Sequence, residues 1–158
     1  MTISPSPRIA ALIRYALAAG REIMSIYGTD FAAREKGDLT PLTEADEVAE
    51  RVILEGLATA DPATPVVSEE AASGGRIPEV GRDFYLVDPL DGTKEFISRN
   101  GEFTVNIARV HDGKPIAGVV YAPARHAIYW GECGHGAARA EVRADRSEEH
   151  TSELQSLA

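Results

Sequence analysis

Cysteine is nearly absent. Cys133 is the only one in 158 residues, so no disulfide can form within the chain, and a reducing compartment is expected. Long apolar runs are missing as well. None approaches the roughly 18 residues of a membrane-spanning helix. The opening Met1-Thr2-Ile3-Ser4-Pro5-Ser6-Pro7 lacks the basic-then-apolar plan of a secretory signal. The expectation is a cytoplasmic protein with no integral membrane segment, peripheral association being left open. Basic residues are outnumbered, 16 against 25 acids, for a formal net charge of −9. That balance argues against a nucleic-acid polymer or an anionic membrane as partner. It leaves room for a small phosphorylated ligand, because bound divalent cations reverse the local potential. Tryptophan occurs once, at Trp130, and reads as a sheet-packing residue rather than a stacking platform. Cys133, His126 and His135 are too few and too poorly spaced for a zinc site.

What remains reads as a globular domain with hydrophobic content of 44% and charged content of 26%, away from the compositions of disordered chains. Its length fits one domain with a real core. Ser6-Pro7 is a helix start, a cap followed by proline at the first helical position. Ile9, Leu12, Ile13, Ala16, Leu17, Ile23 and Ile26 recur at three-to-four spacing, which predicts an amphipathic helix ending near Gly28. Residues 29–42 lose that pattern and read as a loop containing Lys36, a solvated lysine. Thr43-Glu44-Ala45-Asp46 resembles a capping box. It opens a second helix with Val48, Val52, Ile53 and Leu57 on one face, stopping before Asp61-Pro62.

After Pro65 the periodicity shortens. Val66-Val67 and Phe84-Tyr85-Leu86-Val87 are strand-like, with Ala71 to Arg82 as a connecting loop. Residues 103–110 alternate as a strand, Asp112-Gly113 suits a hairpin, and the chain returns through 116–121 and again through 127–130. Consecutive hairpins give a largely antiparallel sheet. Two helices before a meander predict an α+β fold with the helices on one sheet face. Residues 146–158 are polar and show neither periodicity nor caps. They are expected to be disordered or non-native, because they resemble the conceptual translation of a sequencing-library adaptor. The domain is therefore drawn as 1–145.

The chemistry concentrates in Asp88-Pro89-Leu90-Asp91-Gly92-Thr93. Proline should stop the ladder after Asp88, and Asp91 follows one turn later, so both carboxylates can face one point. Gly92 permits close backbone approach, and Thr93-Lys94-Glu95-Phe96-Ile97 reads as a short helix. A second acidic pair, Glu69-Glu70, ends the run Pro65-Val66-Val67. Carboxylates gathered at strand ends suit a hard cation such as Mg²⁺. Two such ions about 3.5–4 Å apart can clamp the attacking and leaving oxygens of a phosphate ester. Taken alone, Asp-Pro-Leu-Asp-Gly is also a good turn; Asp46, Glu69 and Glu70 are what point to a site.

An Asp, then Glu-Glu, then Asp-Pro-Leu-Asp-Gly-Thr, in this order and spacing, resembles the inositol-monophosphatase-like superfamily of Mg²⁺-dependent phosphatases over roughly residues 7–142. The lead-in from Lys36 to Asp46 is similar too. Lys94-Glu95-Phe96-Ile97 is similar to the branch that removes the 3′-phosphate from adenosine 3′,5′-bisphosphate. The resemblance implies that Glu69, Asp88, the Leu90 carbonyl and Asp91 hold Mg²⁺, about two or three ions per intact site. It implies that Asp46 and Thr93 orient and deprotonate the attacking water. Glu69, Leu90, Asp91, Gly92 and Thr93 would line the substrate, the last two offering N–H groups to the phosphate. Glu70 would lie outside the ligand set.

One element of the family pattern is missing. A later Trp-Asp, supplied by a C-terminal α/β domain, has no counterpart, since Gly131 follows Trp130. The chain is therefore expected to be the N-terminal portion, weakly active or inactive, with uncovered sheet surface favouring self-association. Two alternatives keep the fold: an inositol or sugar-phosphate phosphatase, and a non-catalytic cation-binding or interaction module.

Overall fold

The computed structural model describes residues 4–30, 41–143 and 154–156. Helix α1 spans Pro7–Tyr27, and the Ser6 hydroxyl accepts from the Ile9 N–H at 3.2 Å. Ile9, Leu12, Ile13 and Ile23 are buried along one face. At about 1.5–3 kcal/mol per buried aliphatic side chain, that face outweighs a cap contributing about 1 kcal/mol, so packing holds α1 in place. Helix α2 spans Pro41–Ala60. Ala45, Ala49, Ile53 and Leu57 form its buried stripe at four-residue spacing. The expected capping box is corrected here: Thr43 is the third residue of α2, because Pro41 already meets the requirement of a helix start. Most of the preceding loop, including Lys36, lies outside the described residues.

The sheet has seven strands in chain order. They are β1 (Val66–Ser68), β2 (Asp83–Asp91), β3 (Thr104–His111), β4 (Lys114–Ala122), β5 (Ala127–Glu132), β6 (Gly136–Val142) and β7 (Leu154–Ser156). β1 runs parallel to β2, and every other pairing is antiparallel. The β3–β4 hairpin turns on Asp112 and Gly113, both at positive φ. Tyr85, Val87, Val105, Ile107, Val119, Tyr121, Ile128 and Trp130 alternate onto the face beneath α1 and α2. The result is the expected α+β arrangement of helices on a largely antiparallel sheet. The opposite face keeps Leu86, Val120 and Tyr129 exposed.

Two short helices complete the end that carries the acids. Glu69 and Glu70 open α3 (Glu69–Ser73) instead of ending a strand, so the expected loop from Ala71 begins as helix. Helix α4 (Thr93–Ile97) forms as expected. It is pinned by Phe96, whose ring lies 5.3 Å from Tyr27 and 5.2 Å from Phe103, centroid to centroid. Strands β6 and β7 were not foreseen. Their sequences, rich in small and polar residues, carry little strand signal, and pairing of β6 with β5 and of β7 with β6 supplies what local propensity lacks.

Candidate metal and phosphate site

The geometry begins with Pro89. It has no N–H to give to the ladder, yet β2 does not stop there as expected. The strand continues to Asp91 through a bulge: Asp88 pairs with Asn106 and Asp91 with Thr104, three steps on β2 against two on β3. In a regular strand, residues three apart point to opposite faces. One extra residue reverses that parity. Asp88 and Asp91 thereby share the face that also presents Asn106, whose amide donates to an Asp91 carboxylate oxygen at 3.1 Å. The buried Leu90 side chain anchors the bulge from below, and the Leu90 N–H donates to the Asp88 carboxylate.

Asp46 arrives from α2, buried at 6% relative exposure. Its pKa is pushed up to about 7, first by burial and then by the charges of Glu70, Asp88, Glu69 and Glu50. Asp88 is raised to about 6 by burial, then by Asp91 and Glu69, the Leu90 N–H opposing. Glu70 is raised to about 6 by burial, a hydrogen bond with Glu69 and the charges of Glu69, Glu50 and Asp88. Acids from three elements, α2, α3 and β2, therefore crowd one another. Among the described residues, the ion pairs of the fold involve other carboxylates, leaving this group with no Arg or Lys.

Sequence reading foresaw Asp46, Glu69, Glu70 and Asp88 as neighbours, and their charges do act on one another. Hydrogen bonds at this end tie Ser68 to Glu50, Ser73 to Glu69 and Asn106 to Asp91; Thr93 takes part in none of them and lies exposed at the head of α4. Gly92 sits at φ 96°, ψ 51°. A Cβ there would lie 3.1 Å from the Phe103 Cα and 3.2 Å from the Glu102 carbonyl oxygen, so both conformation and space require glycine. Three residues went unread: Asn106, Glu50 and Ser68. Glu50 was legible as the residue one helical turn beyond Asp46; Asn106 matters only through its pairing opposite Asp88.

An oxygen-only donor set suits a hard cation, and one further atom agrees. The Asn106 Oδ1 is buried with no hydrogen-bond partner among the described residues, beside two carboxylates that need positive charge. No three acidic, His or Cys side chains among the described residues form a closed cage as they lie. The carboxylates stand within Coulomb reach of one another. Alongside, Val67, Glu69, Leu86, Asp88, Asn106 and Val120 border an open groove of about 450 Å³ on the outer sheet face.

The pattern of the inositol monophosphatase family matches residues 4–158. The 3'(2'),5'-bisphosphate nucleotidase CysQ of Escherichia coli (strain K12) is 52% identical over 113 residues, which cover 70% of this chain and 46% of that protein. The protein of the same name from Buchnera aphidicola is 42% identical over 120 residues, 75% of this chain and 45% of the relative. CysQ from Bacteroides thetaiotaomicron, a solved structure described as a bacterial member of the inositol monophosphatase family, has a TM-score of 0.74. It is 38% identical, with 96% of this chain and 58% of that one covered. The chain spans about half the length of the curated relatives it matches.

Proposed function

Because this chain belongs to the inositol monophosphatase family, we propose that its acidic cluster is the Mg²⁺ site of a phosphomonoester hydrolase acting on the 3′-phosphate of adenosine 3′,5′-bisphosphate. Glu69, Asp88, Asp91 and the Leu90 carbonyl hold the metal. When bound, the ion neutralises phosphoryl charge and lowers the pKa of water toward neutrality. Asp46, with Thr93, orients the attacking water and takes its proton. Without a cation, burial and the neighbouring acids raise its pKa; a bound cation would lower it again and keep the carboxylate ionised as a base. The N–H groups of Gly92 and Thr93 face the phosphate, and the left-handed Gly92 brings the backbone close enough for that. Asn106 holds Asp91 on the same face as Asp88.

The observation that carries this reading is the acidic group, paired with no Arg or Lys among the described residues, in which the bulge at Pro89 sets Asp88 and Asp91 on one face. The nucleotide is favoured over inositol or sugar phosphates by Lys94-Glu95-Phe96-Ile97 and by relatives named as bisphosphate nucleotidases. The aligned residues cover 46% of the Escherichia coli relative. No described helix is long and apolar enough to cross a membrane.

Mg²⁺ binding by calorimetry, with phosphate release from adenosine 3′,5′-bisphosphate and inositol 1-phosphate in parallel, tests the reading. We expect cation binding that Asp91→Asn reduces, and any release to favour the nucleotide. Release from inositol 1-phosphate alone would move the substrate to the sugar phosphates. No Mg²⁺ binding by the folded chain would remove the site itself.

A further inference from the structure

Accepting the acidic cluster as a cation site, we propose that Glu50 and Ser68 are a positioning pair that fixes α3, with Glu69 and Glu70, against Asp46 on α2. Neither residue belongs to the group that would touch cation or substrate. Glu50 lies one helical turn beyond Asp46, on the same side of α2. Ser68 lies immediately before Glu69, at 2% relative exposure. The Ser68 hydroxyl donates to a Glu50 carboxylate oxygen, joining two elements that each present acids to the cluster.

Two features of α3 make that bond consequential. Ser68 occupies the N-cap position with φ −98° and ψ 144°, the extended backbone from which serine ordinarily accepts from the helix N–H groups. It makes no such cap bond, and its hydroxyl reaches across to α2 instead. In addition, α3 buries none of its residues. The helix bearing Glu69 and Glu70 therefore lacks the apolar anchor that fixes α4 through Phe96. Its position rests on the β1–β2 pairing, Ser68 opposite Val87, and on this charge-assisted hydrogen bond, a strong class of contact. Glu50 also adds like charge beside Asp46 and Glu70. A carboxylate placed where it repels its neighbours fits a residue whose contribution is the bond to Ser68.

The test is Mg²⁺ and Mn²⁺ affinity of the 158-residue chain by calorimetry, with the Mn²⁺ electron-spin spectrum as a second readout of site geometry. We expect Ser68→Ala and Glu50→Ala each to weaken cation binding about tenfold, the usual effect of losing a partner that orients ligands. Ser68→Thr and Glu50→Gln, which keep a hydroxyl and an acceptor oxygen, should retain most of the affinity. The double alanine variant should be no weaker than the worse single. If Glu50→Gln falls as far as Glu50→Ala while Ser68→Ala binds normally, Glu50 acts by charge alone and the pairing is wrong. If Ser68→Ala does not fold, the comparison of Glu50→Gln with Glu50→Ala decides. Wild-type chain that binds no cation overturns both this proposal and the site it rests on. Wild-type binding with unaltered variants overturns the pairing only.

Discussion

Among single residues, Asp46, Glu70 and Asp88 set how the molecule answers to pH. Their pKa values in the folded chain, about 7, 6 and 6, lie above the ordinary 3.8 for Asp and 4.5 for Glu. Between about pH 4 and 7 the folded state therefore binds more protons than the unfolded one, and stability falls as pH rises through that window. Above it these groups add no further slope. Asp61 and Asp83 are shifted the other way, so what they contribute is lost only as pH drops below the ordinary carboxylate range. The melting temperature without divalent cations should thus be higher near pH 5 than near pH 8. Saturating Mg²⁺ should raise it most at pH 8, where the acids are ionised; calorimetric melts at both pH values check this. Gly92→Ala should cost about 1–3 kcal/mol in urea unfolding, because its φ of 96° and the contact with Phe103 leave no relaxed place for a methyl group.

At the scale of elements, two ends of β2 do different work. The start is clamped by Arg109, which donates to Asp61 at 2.6 Å, Thr64 at 2.9 Å and Asp83 at 3.1 Å while lying over the Tyr85 ring. That network fastens the end of α2 to β2 and β3. Arg109→Met should destabilise the fold by about 2 kcal/mol, as expected when hydrogen bonds to charged groups are lost, and leave Mg²⁺ affinity within twofold. Equilibrium unfolding and calorimetry on one preparation separate the two effects. Much at this scale was legible in the sequence. Ser6-Pro7 and the Ile and Leu spacing marked α1, and Asp112-Gly113 marked the β3–β4 hairpin. Where the reading failed, a tertiary partner overrode a local rule. Proline stops a ladder, but β2 keeps pairing with β3 past Pro89 and takes up the slack as a bulge. Thr-x-x-Asp resembles a cap, but Pro41 starts the helix earlier. Asn106 gave no local signal, since its significance comes from standing opposite Asp88.

Across the whole molecule the two sheet faces are unequal. One is packed under α1 and α2, and the other keeps Leu86, Val120 and Tyr129 at 45%, 42% and 44% relative exposure. These residues should draw copies of the chain together at high concentration. Leu86→Lys with Val120→Lys should shift sedimentation toward the monomer, and identical profiles for the variant and the wild type would show that this face is inert. The family was legible from a few acids because their order survives in one dimension; the sharing of a face by Asp88 and Asp91 was not, because it arises only when β2 pairs with β3. That sharing has a consequence for how such a chain tolerates change over generations. Two aspartates can both be retained, with every neighbour chemically intact, and still be parted by the loss of one codon between them. Spacing there is inherited information in its own right, and deletion scanning from 88 to 91 should find a sharper boundary than substitution scanning does.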